Sequence, residues 1–188
     1  MKAFWPQALD FLQNPVLLGS GQYGLVYQAK NTRSGRKVAV KVIEAGMDRD
    51  SGIIKRFKRE IRAMQRIESD RIVKIFDYWI EPHFIAFEME YIEGLPLNQL
   101  MRRLSGIDFQ DRLELVLSIM VQVCEGLDDL HEHNLIHRDL KPSNILIALP
   151  ENGSGLEGTD LLNLLQQKGF GVKISDLGLV KDLSASFS

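Results

Sequence analysis

The sequence has little that would direct the chain to an oxidising compartment, a membrane or a nucleic acid. Its 188 residues include one cysteine, Cys124, which excludes a disulfide within the chain and fits a reducing, cytoplasmic setting. Because Cys124 lies in an apolar stretch, we expect a buried, unreactive thiol. The first residues lack the apolar run of a signal peptide, and no stretch is long and apolar enough to cross a bilayer. A net charge of −2 gives no support for binding nucleic acid or membrane through bulk charge.

The composition is that of an ordinary globular protein. Hydrophobic residues make up 45% and charged residues 26%, so the chain can bury one sizeable core or two small ones. Residues 11–92 predict strands around one helix, which we place near residues 51–68. Two β-rich runs, 72–80 and 83–91, follow that helix. After them, residues 97–104 predict a short helix and residues 108–133 a long apolar one.

The most informative run is His-Arg-Asp-Leu-Lys-Pro-Ser-Asn, at residues 137–144. It places an acid, two cations and an amide at fixed offsets on one loop. Phosphoryl transfer needs a carboxylate to orient the incoming hydroxyl, a cation for the transferring phosphate, and an oxygen ligand for magnesium. Asp139, Lys141 and Asn144 can supply these roles in that order. Taken alone, three polar groups in a loop also fit a solvated turn.

A glycine-rich run, Leu-Gly-Ser-Gly-Gln-Tyr-Gly-Leu-Val, occupies residues 18–26. Its glycines let the backbone bend sharply and bring N–H groups close to phosphate oxygens. Such a run could also open a dinucleotide-binding unit, where it would lie between a strand and a helix. Here a β-type segment at 25–29 and a hairpin turn at 31–35 follow it, so we favour a strand–loop–strand flap.

Three further charged residues lie on predicted regular elements. Lys41 ends an alternating Val-Ala-Val-Lys strand, a position where a lysine is usually exposed. The helix near 51–68 has apolar residues at 53, 54, 57, 61, 64 and 67 and basic residues on its other face. Glu60 lies beside the apolar stripe and can point inward, or it can remain solvated and pair one turn away. Asp176 follows a predicted strand in Ile-Ser-Asp-Leu-Gly, which in isolation would be an ordinary turn.

These pieces, in this order, resemble the eukaryotic-type (Hanks-type) serine/threonine protein kinases. The resemblance implies an α+β, protein-kinase-like fold with a β-rich N-lobe, its αC helix, and an incomplete helical C-lobe. It implies a kinase domain over residues 11–188, divided into N-lobe with hinge (11–92) and the start of the C-lobe (93–188). Lys141 followed by Pro142 resembles the serine/threonine group. The implied reaction is transfer of the ATP γ-phosphoryl group to Ser/Thr hydroxyls of a protein substrate.

The resemblance also implies a role for each site residue. Asp139 would be the base, Lys141 the charge stabiliser, and Lys41 the phosphate ligand paired with Glu60. His137 would be a packed structural histidine. ATP would be bound by the glycine flap, the apolar walls, the gatekeeper and the hinge. The residues implied are Leu18, Gly19, Ser20, Gly21, Gln22, Tyr23, Gly24, Val26, Ala39, Lys41, Met89, Glu90, Ile92 and Leu146.

Magnesium would be bound by Asn144 and Asp176. The family pattern has Asp-Phe-Gly at the second of these positions, and here Leu177 replaces the phenylalanine. Leucine keeps the position apolar, so we expect the change to affect packing and the active/inactive switch more than metal binding.

Two further departures concern the second half of the chain. Residues 148–171 form an insertion with an amphipathic piece, Leu161 to Gln167, where we expect a surface loop with one or two helical turns, or alternatively a partner-docking helix. The chain stops at Ser188, so we expect a fragment that lacks the substrate-binding part and is inactive alone.

Two alternatives to a protein kinase remain. A small-molecule kinase would share the catalytic aspartate and asparagine, but Leu140-Lys141-Pro142 favours a protein substrate. A nucleotide-binding or regulatory pseudokinase module would bind ATP without catalysis. The presence of every catalytic residue type argues against that second alternative.

Overall fold

The computed structural model of the protein describes residues 5–21, 24–44 and 51–176. The chain divides into two units. The first contains the described residues up to Arg66 together with Lys74–Tyr91, and the second contains Ile67–Val73 and the described residues from Ile92 onward. The predicted site positions Gln22, Tyr23 and Leu177 lie outside the described residues. None of the helices in the described ranges has the length and apolar character needed to cross a bilayer.

The first unit is built on a five-stranded antiparallel sheet with strand order β1-β2-β3-β5-β4. Within the described residues one α-helix, α1, follows β3, and a short 3-10 helix, Gln7–Leu9, precedes β1. This confirms the predicted β-rich lobe built around one α-helix. The elements are β1 (Leu12–Gly21), β2 (Gly24–Asn31), β3 (Lys37–Glu44), α1 (Ser51–Met64), β4 (Ile75–Glu81) and β5 (Phe84–Glu90).

The two faces of this sheet are covered by different parts of the first unit. On one face, Val38, Val40 and Val42 of β3 pack in a cluster with residues of the segment that precedes β1, including the fully buried Leu9. We call this the outer-face cluster. On the other face, Phe57 of α1 packs against a phenylalanine of β5, Phe87, with ring centroids 5.6 Å apart. Successive strand residues alternate between faces, so the alternating pattern of β3 decides which residues share the α1 face.

In its described residues the second unit contains a three-stranded antiparallel sheet, three α-helices and a short 3-10 helix, Pro142–Asn144. The strand order is β6-β7-β8, and Ile147 of β7 is paired with Val172 of β8. The Asp108 side chain caps α3 by accepting a hydrogen bond of 2.8 Å from the backbone N–H of Gln110. The elements are β6 (Gly94–Pro96), α2 (Leu97–Arg103), α3 (Phe109–Glu132), β7 (Ile145–Ala148), α4 (Gly158–Lys168) and β8 (Gly171–Ile174).

The β-rich run predicted over residues 72–80 contains two separate pairings in the structure. Strand β4 begins at Ile75. Before it, the backbone N–H of Val73 donates to the Ile174 carbonyl at 2.9 Å, and the Ile174 N–H donates to the Arg71 carbonyl at 2.7 Å. Ile72 therefore forms a parallel bridge with the end of β8 in the second unit. Sequence periodicity cannot identify this partner, because it lies about a hundred residues further along the chain.

The helix in the predicted insertion is longer than the one or two turns expected, since α4 spans 11 residues. Three of its leucines, Leu161, Leu162 and Leu165, are buried within the second unit. From α2, the Nη1 of Arg103 donates to the carbonyls of Ser154 and Leu156, at 2.5 and 3.5 Å, and so holds the loop before α4. The leucine face is packed, which supports the surface-insertion interpretation over the docking one.

The expectation that Cys124 is buried is wrong, because its side chain is exposed. The buried stripe of α3 consists of Leu115, Ile119, Val123, Gly126 and Leu130, which recur at helical spacing. The apolar sequence of α3 is wider than this stripe and extends onto the exposed side of the helix. Apolar composition therefore did not identify which side is covered.

Candidate active site

The predicted catalytic loop brings its three polar side chains together. Lys141 Nζ lies 2.9 Å from the Oδ2 of Asp139. The Nδ2 of Asn144 donates to the Asp139 backbone carbonyl at 2.9 Å and to the same Oδ2 at 3.2 Å. The Asp139 side chain is 16% exposed and that of Lys141 is 46% exposed. The carboxylate is therefore held at a fixed orientation, while the lysine keeps much of its surface in water.

His137 ties this loop to the strand end that precedes Asp176. Its Nε2–H donates to the Ser175 carbonyl at 2.9 Å, and its Nδ1 accepts from the Asp139 N–H at 3.2 Å. Burial lowers the pKa of His137, although its hydrogen bond to Ser175 opposes that shift. The ring is buried, with one nitrogen donating and the other accepting, so His137 is packed as predicted. Its structural role remains a prediction.

Asn144 is tied to the same strand end through its backbone. The Ser175 N–H donates to the Asn144 carbonyl at 2.8 Å, and the Ser175 hydroxyl donates to it at 3.2 Å. Asn144 is itself buried, at 4% exposure. The loop and the residue before Asp176 therefore form one hydrogen-bonded body within the second unit.

Two residues of this body adopt left-handed backbone conformations. Arg138 has φ of 59° and Asp176 has φ of 58°. Such a conformation costs a residue with a side chain about 1 kcal/mol. His137, which precedes Arg138, and Ser175, which precedes Asp176, are both held by hydrogen bonds. Strain of this kind, maintained by surrounding contacts, is concentrated at functional sites.

The donor set here fits magnesium. Asn144 donates to Asp139 through its Nδ2, and its Oδ1 accepts a long hydrogen bond of 3.4 Å from the Ser143 hydroxyl. Oδ1 is therefore the side-chain atom of Asn144 that would have to hold a metal. An amide oxygen and the carboxylate of Asp176 are hard oxygen ligands, and Mg²⁺ is bound in proteins by one or two such groups together with phosphate oxygens and water. Within the described residues no group of three or more His, Cys, Asp or Glu side chains forms a metal cluster.

The first unit places four of the predicted nucleotide residues on one face of its sheet. Val26 of β2 is opposite Lys41, Lys41 is opposite Phe87, and Ala39 is opposite Met89. Directly opposed residues share a face, so Val26, Ala39, Lys41 and Met89 all lie on the face that carries α1. Lys41 is 7% exposed, so it is not the exposed strand-end lysine that its position alone would suggest.

Glu60 lies on α1 and is half-buried, which agrees with its predicted place beside the apolar stripe. Since α1 covers the face that carries Lys41, the predicted Lys41–Glu60 pair joins two elements of one unit. That pair remains a prediction.

The flap glycines differ in whether their surroundings leave space for a side chain. Gly24 has φ of 131°, and a Cβ there would lie 2.3 Å from the Val42 carbonyl oxygen, so no other residue fits without a backbone shift. A Cβ at Gly19 would meet no atom of the described residues within 4 Å. Gly19, Ser20 and Gly21 lie on the edge strand β1. Glycine is therefore required at position 24 by the close approach of β2 to β3, whereas no described atom limits the residue at position 19.

The remaining predicted nucleotide residues are partly accessible. Leu18 on β1 is 49% exposed. Glu90 at the end of β5, Ile92 just beyond it, and Leu146 on β7 are each half-buried. Leu146 and Ile92 belong to the second unit and the other two to the first.

One buried polar pair in the first unit has no counterpart in the sequence predictions. Asn31 at the end of β2 and Glu88 of β5 are 7% and 4% exposed, and they are hydrogen-bonded to each other. The signal available in the sequence was a glutamate inside the apolar run Phe-Ile-Ala-Phe-Glu-Met. A charged residue in a strand of that composition indicates a buried partner.

A family model described as the protein kinase domain matches residues 12–188. The chain therefore belongs to the protein kinase family, with the glycine flap, the catalytic loop and the Asp176 turn in the family order.

The relatives found by sequence comparison are protein kinases, and two of the three described below are named as serine/threonine kinases. Serine/threonine-protein kinase pkn2 of Myxococcus xanthus is 32% identical over 164 residues, which are 87% of this chain and 19% of that protein. The DNA damage response protein kinase DUN1 of Saccharomyces cerevisiae is 33% identical over 174 residues, 87% of this chain and 32% of that protein. CBL-interacting serine/threonine-protein kinase 19 of Arabidopsis thaliana is 32% identical over 163 residues, 87% of this chain and 29% of that protein. The chain thus spans from about a fifth to about a third of the length of these relatives.

Proposed function

We propose that this chain binds Mg-ATP and supplies the catalytic residues that transfer the γ-phosphoryl group to a Ser or Thr hydroxyl of a protein. The observation that carries the proposal is the Asp139 carboxylate, held by Lys141 at 2.9 Å and by Asn144 on the same loop. A carboxylate fixed in this way can orient a hydroxyl and accept its proton. The cation beside it can stabilise the charge of the transferring group.

The first unit would contribute the phosphate-aligning cation and part of the adenine wall. Lys41 is buried on the same sheet face as Val26, Ala39 and Met89. Lys41 as a whole residue is 7% exposed, and a cation shielded from water binds phosphate oxygens more strongly than one in water. The apolar neighbours suit the faces of a purine ring, and the backbone of residues 90–92 would supply hydrogen bonds to its edge.

In the second unit, Asn144 Oδ1 and Asp176 would hold magnesium. Bound magnesium would neutralise charge on the phosphates and help keep them in line with the incoming hydroxyl. The protein's own contribution is to fix these two oxygen ligands, through His137, Ser175 and the Asn144 backbone.

The proposed substrate class and location are supported by the relatives and by the composition. The relatives from Myxococcus xanthus and Arabidopsis thaliana carry serine/threonine kinase names, and Lys141-Pro142 follows the same group's pattern. The single cysteine supports a cytoplasmic setting, and the low net charge supports a protein rather than a nucleic acid as partner.

Two measurements test this function. Titration of the chain with a fluorescent ATP analogue should show affinity that rises when Mg²⁺ is added. Asp176→Asn should remove most of that rise, whereas Asp139→Asn should leave it within about twofold, because Asp139 acts on the hydroxyl and not on the nucleotide. No binding by the wild type at millimolar nucleotide would refute the proposal.

In the full-length protein, transfer from radiolabelled ATP to a basic protein should depend on Asp139. We expect Asp139→Asn to reduce it by at least about a hundredfold, the range typical of a lost general base. Nucleotide binding combined with transfer that is unchanged by Asp139→Asn would refute the assigned base. Binding without any transfer would support the pseudokinase alternative.

A further inference from the structure

A polar pair is buried in the outer-face cluster of the first unit. The Nδ2 of Asn31 donates to both carboxylate oxygens of Glu88, at 2.8 and 2.9 Å. Around this pair the same sheet face carries apolar core side chains such as Val38 and Val40. A carboxylate in such surroundings destabilises the folded chain unless its hydrogen bonds are made. Two apolar side chains would fill the same space without that cost, so the pair serves something other than burial.

The Oδ1 atom of Asn31 forms hydrogen bonds within the turn between β2 and β3. Its Oδ1 accepts from the backbone N–H groups of Arg33 and Ser34, at 2.9 and 3.0 Å. Its own backbone N–H donates to the Arg36 carbonyl at 2.9 Å. One side chain therefore closes the turn and, through its other end, attaches that turn to β5.

The attachment point on β5 adjoins the residues proposed to bind adenine. Glu88 directly precedes Met89 and Glu90. Two further contacts hold the same strand end. The Lys37 ammonium lies 4.2 Å from the centroid of the Tyr91 ring, and the Glu90 N–H donates to the Lys74 carbonyl at 2.9 Å. Of these contacts, only the Asn31–Glu88 pair is buried. Its hydrogen bonds fix the direction of the two side chains as well as the distance between them, which an apolar contact would not do.

We propose that Asn31 and Glu88 are positioning residues for nucleotide binding. By tying the β2–β3 turn to β5, the pair fixes the strand end so that the backbone of residues 90–92 is already oriented for the adenine edge. Preorganisation of this kind raises affinity, because the ordering of the binding groups has been completed in the free protein. The inference rests on the proposed function, which supplies the nucleotide.

Nucleotide titration with three variants separates positioning from general stability. Asn31→Ala removes the contact and should raise the dissociation constant of a fluorescent ATP analogue at least about fivefold, as expected for a lost buried hydrogen-bond network. Glu88→Gln retains an acceptor for Asn31 and should stay within about twofold of the wild type. Leu9→Ala opens a cavity in the same outer-face cluster far along the chain from β5, so it loses stability but should also keep the affinity within about twofold.

Two results of this titration would overturn the inference. One is an affinity for Asn31→Ala no weaker than that for Leu9→Ala, which would reduce the pair to a stability element. The other is a loss in Glu88→Gln as large as that in Asn31→Ala, since the retained acceptor would then have had no effect.

Amide hydrogen exchange of the nucleotide-free chain gives a second readout that does not depend on ATP. Asn31→Ala should speed exchange at residues 88–91 by about tenfold more than at residues 78–80 of β4, whereas Leu9→Ala should not favour the β5 end. If the wild type binds no nucleotide, the proposed function is refuted, and exchange still decides the positioning claim. Unchanged exchange at residues 88–91 in Asn31→Ala would overturn it.

Discussion

Replacement of Gly126 by alanine should destabilise the second unit, although alanine is the better helix former. Gly126 lies in the buried stripe of α3. A Cβ there would lie 2.9 Å from the Cβ of Arg71 and 2.9 Å from the Cδ1 of Ile174, closer than real Cβ atoms approach other heavy atoms. The Arg71 Cβ moves only with its backbone, and that backbone is bonded to β8 at Ile174. The Cδ1 of Ile174 can rotate away, but the Cβ of Arg71 cannot, so the added methyl keeps at least one neighbour that is not easily displaced.

The expected magnitude is a difference between two opposing effects. Glycine to alanine inside a helix contributes about 1 kcal/mol of stability. An extra carbon forced into a packed contact costs typically 1–3 kcal/mol. With the contacts at 2.9 Å the upper half of that range applies, so we expect a net loss of about 1–2 kcal/mol for Gly126→Ala. Gly126→Val adds two more carbons and gains less from helix propensity, so its loss should be larger.

Urea denaturation followed by far-UV circular dichroism measures this loss as a shift in the midpoint concentration. Ser118→Ala, at an exposed position of the same helix, is the matched control for helix propensity and should leave stability within about 0.5 kcal/mol of the wild type. Stability of Gly126→Ala equal to or above that of the wild type would refute the steric argument. The close approach of α3 to the Arg71 segment and β8 would then not limit the residue at 126.

Two further predictions concern charged groups of the first unit. Lys41→Met should lower phosphoryl transfer in the full-length protein by at least about a hundredfold through lost phosphate alignment. Lys30→Met, at an exposed position, should leave phosphoryl transfer unchanged. Near wild-type turnover in Lys41→Met would show that Lys41 takes no part in the mechanism. Burial raises the pKa of Glu88, with Asp77 adding to that shift and Asn31 and Arg36 opposing it. The folded chain therefore holds the Glu88 proton to higher pH than the unfolded chain, and the free energy of unfolding falls as pH rises from about 4.5 through the raised pKa. Glu88→Gln has no such titration, so its stability relative to the wild type, measured as the urea midpoint, should increase as the pH rises over that interval. A difference in midpoint between the two proteins that does not change with pH would contradict the burial of the Glu88 charge.

The catalytic loop could be predicted from the sequence because its chemistry is local. Asp139, Lys141 and Asn144 lie within six residues, so a single loop brings them together whatever the rest of the fold does. The alternation of side chains along a strand is also a local property. Ala39 and Lys41 are two residues apart, so they lie on the same face of β3. These features depend on offsets of two to five residues, which the sequence displays directly.

Contacts between distant residues could not be predicted in this way. His137 bonds to Ser175, 38 residues later, and Asn31 bonds to Glu88, 57 residues later. Neither pairing has a periodic signal, because the partners meet only after separate strands and turns have packed.

The sequence by itself determined which residue types are available for phosphoryl transfer and which elements carry them. Only the tertiary structure decided which apolar surfaces are covered. Cys124 is exposed and the leucines of α4 are buried, although both lie in apolar helical sequence. The structure also joined Ile72 to β8 instead of β4. The physical reason is that burial and strand pairing depend on which surfaces come together in three dimensions, whereas periodicity reports only how residues are arranged on one element.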